Sequence, residues 1–86
     1  MIYLVHTNAD ADEVMAAGLA DDACLLTDGL VAVDSPLSRS KLYHRLKALQ
    51  PRDAPLLVAE LAEIPKFKGM APEALAWLRQ RLPQPE

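Results

Sequence analysis

Cysteine occurs once in these 86 residues, glycine three times and aromatic side chains four times, and the first 38 positions hold neither Lys nor Arg. A lone Cys24 excludes a disulfide within the chain. No apolar run approaches the roughly 18 residues that a membrane-spanning helix needs. The start, Met1-Ile2-Tyr3-Leu4-Val5, lacks the basic region of a secretory signal. These absences together predict a soluble, cytoplasmic protein with no membrane partner.

Hydrophobic residues make up 51% of the chain against 24% charged, too apolar for intrinsic disorder. At this length one domain is expected, with a core small enough that dimerisation would enlarge it. Charge is polarised along the chain. Residues 1–38 carry seven acidic groups and a formal −7, whereas residues 39–86 carry nine basic against five acidic groups, a formal +4. The total of −3 therefore hides two surfaces able to steer a partner or to neutralise each other.

Ile2 to His6 is a short apolar, partly β-branched run and predicts a buried strand. Asn8 is placed to cap a helix over residues 9–19, with Asp10, Asp12 and Glu13 in its opening turns, where the helix dipole favours anions. Ala11, Val14, Met15, Gly18 and Leu19 form its apolar arc. Two strands follow, Ala23 to Thr27 and Leu30 to Asp34. The Asp28-Gly29 pair between them predicts a hairpin with a type I′ turn. Ser38 caps a second helix over residues 39–50, whose arc is Leu42, Leu46 and Leu49, and Pro51 ends it. Leu56 to Leu61 is a fourth strand. Pro72 suits the first position of a last helix carrying Ala74, Leu75, Leu78 and Leu82 on one face, and Pro83 and Pro85 close the chain.

The order β-α-β-β-α-β-α, with right-handed crossovers, predicts an α+β fold in one domain spanning 1–86. Residues 1–61 form a ferredoxin-like βαββαβ antiparallel sheet with two helices on one face, and residues 62–86 supply a loop and an additional C-terminal helix. That last helix must bury its leucines on a sheet edge, on the open sheet face or on a second subunit.

The short apolar start and the stretch Asp53-Ala54-Pro55-Leu56-Leu57-Val58-Ala59-Glu60-Leu61 resemble the small ferredoxin-like subunit of CRISPR spacer acquisition and its toxin-like relatives. The resemblance spans about 60 residues and is one of layout. It implies that chain beyond the fourth strand, Ile64 to Met70 here, crosses onto a partner subunit, and it implies nucleic-acid processing. Members described as metal-dependent nucleases carry an Asp at the end of the first strand. This chain has His6-Thr7-Asn8 there and only then Asp10, a poor set for a hard cation.

Other chemistry is thinly supplied. Asn8-x-Asp10-x-Asp12 opens like a calcium loop, but Glu13 stands where Gly is required and Leu19 where a bidentate Glu should close it. His6, Cys24 and His44 have no zinc spacing, so no metal or cofactor is expected. Cys24 inside an apolar strand reads as an inert small hydrophobe. A triad could be drawn from Ser35, Ser38 or Ser40 with His6 or His44 and Asp34, yet Ser38 is already explained as a cap and no nucleophile elbow is present.

Arg39, Lys41, His44, Arg45, Lys47 and Arg52 make the second helix and its exit basic. A nucleic-acid face would want aromatics among them, and only Tyr43 is near. In the predicted fold the acidic first helix lies beside this basic one, so ion pairs between the two are expected. Phe67, Met70 and Trp77 are the large apolar side chains that suit contact anchors, with core filling as the alternative. The resulting expectation is a non-enzymatic interaction module, an adaptor, regulator or inhibitor forming a homodimer, with Phe67, Met70, Trp77, Lys41 and Arg45 binding a protein partner. The alternatives are a nucleic-acid-processing or nucleic-acid-binding relative of the acquisition subunit, and an acidic nucleic-acid mimic.

Overall fold

In the computed structural model residues 1–83 are described, so Pro85 lies outside the described residues. The elements are β1 (Ile2–His6), α1 (Ala11–Ala16), β2 (Asp22–Thr27), β3 (Leu30–Asp34), α2 (Arg39–Leu49), β4 (Leu57–Glu60) and α3 (Ala74–Arg79). The four strands make one antiparallel sheet in the order β2-β3-β1-β4, leaving β2 and β4 as its edges. No helix among the described residues is long and apolar enough to cross a membrane.

Both faces of the sheet are covered. On one, Tyr3, Val5, Val31 and Val33 pack with Val14 of α1 and with Leu42 and Leu46 of α2. The other face carries Ile2, Cys24, Leu26 and Ala32, and it is closed by Ala74 and Leu78 of α3 together with Leu61, Ile64, Phe67 and Met70. Of the three places open to the last helix, it takes the open sheet face. Two-sided burial also explains why β1 and β3 read as continuous apolar runs, since a strand wet on one side would alternate.

Local differences from the predicted elements have physical causes. Asp10, not Asn8, caps α1, its Oδ1 accepting from the Glu13 amide at 2.8 Å, and the helix is six residues long. Gly18, with φ of 71°, ends that segment in the left-handed conformation. Ser38 caps α2 as expected, accepting from the Lys41 amide at 3.2 Å. Leu49 is 55% exposed and drops out of the buried arc, because α2 ends beside it. Pro72 falls in the turn before α3, which begins two residues later at Ala74.

The hairpin forms, but not with a type I′ turn. Such a turn needs positive φ at both central residues, and only Gly29 has it, at 78°. Ordinary turns splay paired strands, and here the register shifts by one between Leu25 and Thr27, a bulge that absorbs the mismatch.

Candidate interaction site

The two edges of the sheet differ. At β2 the Ala71 amide donates to the Leu26 carbonyl at 2.8 Å, so the C-terminal segment bonds to that edge at one point, and the bulge distorts the edge there. A polar clamp fixes this segment. Trp77 Nε1 donates to Asp22 Oδ2 at 3.0 Å and Arg81 donates to the same oxygen at 2.6 Å, while the Arg81 guanidinium lies 4.0 Å from the Trp77 ring centroid. Arg81 Nε also faces Asp34 Oδ2 at 3.4 Å, an ion pair without hydrogen-bond geometry. Asp22 and Asp34 are cross-strand partners, so one guanidinium bridges two carboxylates that would otherwise repel.

At β4 the outer side is bare. Among the described residues no backbone hydrogen bond reaches it, and Leu57 is 53% exposed. The inner side pairs with β1 from Tyr3 opposite Glu60 to His6 opposite Leu57.

Beside the start of β4 is a cleft of about 380 Å³ lined by Tyr43, Lys47, Gln50, Pro51, Arg52, Ala54 and Leu56. Tyr43, Lys47 and Gln50 follow one another at helical spacing on one flank of α2, and α2 lies over β4 because Leu42 and Leu46 bury against the sheet. Gln50 fixes the corner. Its Nε2 donates to Thr7 Oγ1, which also accepts from the Ala9 amide at 3.1 Å, and this ties the end of α2 to the end of β1. Its Oε1 is buried with no hydrogen-bond partner among the described residues. Two cations, a phenol and an apolar wall give the cleft the chemistry to hold a carboxylate. Neither Lys47 nor Arg52 has an ion-pair partner among the described residues.

The expected contact residues do not share one surface. Phe67, Met70 and Trp77 come together, partly buried against the α3-side core, with Trp77 further engaged by Asp22 and Arg81. Lys41 and Arg45 are exposed on α2, across the sheet from them and on the flank of the helix away from the cleft. The cleft selects Lys47 and Arg52 instead, and the signal for this was the spacing of Tyr43, Lys47 and Gln50. No ion pair joins α1 to α2 among the described residues, contrary to expectation, since α1 packs over β2 and α2 over β4.

The drawn triad is not assembled. Ser35 Oγ is buried, donating to the Leu19 carbonyl at 2.6 Å and accepting from the Leu37 amide at 3.1 Å, and Asp34 faces Arg81 and the N-terminal ammonium. Burial, then the carboxylates of Glu73 and Asp22, push the Cys24 thiol above its ordinary value against the opposing pull of Arg81, so it stays a neutral thiol. No family model, curated protein or solved structure matches the chain.

Proposed function

We propose that this protein is a non-enzymatic interaction module with a ferredoxin-like fold, acting by accepting an extended strand of a protein partner along β4. The fold name is supported by the strand order, which reads β4-β1-β3-β2 from the β4 edge, with two helices on one face. The observation that carries the docking reading is the contrast between edges: β2 is bulged and bonded at Leu26 by the C-terminal segment, while the outward backbone of Val58 and Glu60 is unpaired among the described residues. Strand addition to such an edge supplies affinity through main-chain hydrogen bonds and specificity through side-chain pockets next to it, here the Lys47–Arg52 cleft.

A photo-crosslinking amino acid at Leu57, with a control at Asp12 on α1, tests this in the native cell. The expected result is a protein adduct formed from position 57 and not from position 12. Equal adducts from both positions, or none from either, contradict the reading. Nucleic acid in place of protein at position 57 would favour the alternative of a nucleic-acid-binding relative of the acquisition subunits.

A further inference from the structure

Resting on that reading, we infer that the strand added to β4 is β4 of a second copy of this chain. The two copies form an antiparallel two-fold pair, and Glu60 of each enters the Lys47–Arg52 cleft of the other.

Backbone direction limits the register, and charge selects among the registers it allows. The Leu61 amide donates to the Ile2 carbonyl at 2.9 Å. Residues alternate in an antiparallel ladder, so Ala59 also turns its backbone towards β1, whereas Val58 and Glu60 turn theirs outward. A two-fold pair must oppose outward residues to outward residues. With Val58 on the axis, Leu56 of one copy stands opposite the partner's Glu60, and directly opposed side chains lie on the same face of the sheet.

Charge then fits the register. Glu60 is the cross-strand partner of Tyr3, whose ring belongs to the helix-side core, so Glu60 projects on that side. Leu56 lines the cleft with Lys47 and Arg52 on the same side. The partner's Glu60 therefore arrives beside two cations that have no ion-pair partner among the described residues. Each chain carries the free edge, the cations at one end of it and the carboxylate at the other, which is the self-complementarity that a two-fold interface requires. On the opposite face the exposed Leu57 comes against the partner's Ala59, and Pro55 and Pro65 bracket the pairing segment.

Sedimentation equilibrium of the purified full chain tests the pairing with two charge-reversed variants, Glu60→Lys and the double change Lys47→Glu with Arg52→Glu. Each alone opposes like charges and should raise the dimer dissociation constant at least about tenfold. An equimolar mixture restores opposite charge at both contacts, so it should dimerise again close to the wild-type level. Circular dichroism of each variant separates loss of pairing from loss of fold, and Val58→Pro, which removes the amide on the axis, is expected to be folded and monomeric. A wild type that is monomeric at millimolar concentration, or a dimer indifferent to these changes, overturns the inference. In that case a cross-link from Leu57 to a different protein would still uphold the docking reading, and its absence would remove that reading too.

Discussion

Arg81 holds together groups from both halves of the chain: it donates to Asp22, faces Asp34 and stacks on Trp77. Replacing it by Ala leaves Asp22 and Asp34 as opposed like charges and frees the indole. Because Asp22 is about half exposed, water screens much of this, and the expected loss in chemical denaturation is about 1 kcal/mol at low salt. Part of it should return at about 1 M NaCl, where repulsion is screened. A loss unchanged by salt would mean that packing on Trp77, not charge, is what Arg81 contributes. Tyr3 gives a second residue-level expectation. Its hydroxyl donates to the Leu37 carbonyl at 2.7 Å, and burial with the nearby Glu60 carboxylate raises its pKa above the ordinary 10.0, against a smaller opposing pull from Arg39. The unfolded phenol therefore ionises first. The protonated-state stability is complete below about pH 10 and declines as pH rises from there through the folded value. Tyr3→Phe should flatten stability against pH above 10, measured as the difference from wild type. None of these partnerships was legible in the sequence, because Asp22 and Arg81 are 59 residues apart and only the closed second face brings them together.

Elements were read well wherever the signal was local. β1, the hairpin, the Ser38 cap and α2 follow from short patterns, and each is present. The differences lie at element ends: Asp10, through its local bond to the Glu13 amide, caps α1 in place of Asn8, and Leu49 is exposed where α2 ends. The placement of α3 was signalled but not resolved. Ile2 to Val5 and Leu30 to Val33 are apolar without alternation, which already indicates cover on both faces. The hairpin supplies the test at this scale. Gly29 has φ of 78°, and its carbonyl accepts from the Thr7 amide at 2.9 Å, tying the turn to the end of β1. A Cβ there meets His6 at ordinary contact distance, 3.5 Å, so the cost of Gly29→Val comes from the backbone, on the order of 1 kcal/mol or more. Thermal unfolding should register that loss, and an unchanged melting temperature would contradict the turn geometry.

Across the whole molecule the charge polarity becomes a spatial arrangement. The acidic α1 lies over β2 and the basic flank of α2 over β4, so the charges of these two helices are divided between the edges of the sheet, while Arg81 of the basic half pairs with Asp22 and Asp34 at β2. Sequence composition showed the polarity, but only strand order shows that Lys47 and Arg52 border the bare edge. The candidate site was accordingly half legible: a basic second helix was evident, while the choice of Lys47 and Arg52 over Lys41 and Arg45 depends on which flank of α2 faces β4. Residue-resolved amide exchange, measured at low and high protein concentration, tests the central claim that β4 pairs with β4 of a second copy. The account predicts that Ala59 and Leu61, bonded to β1, are protected at every concentration, while Val58 and Glu60 exchange freely when dilute and gain protection as concentration rises. Protection of Val58 and Glu60 already complete at high dilution, or free exchange there at all concentrations, would contradict it.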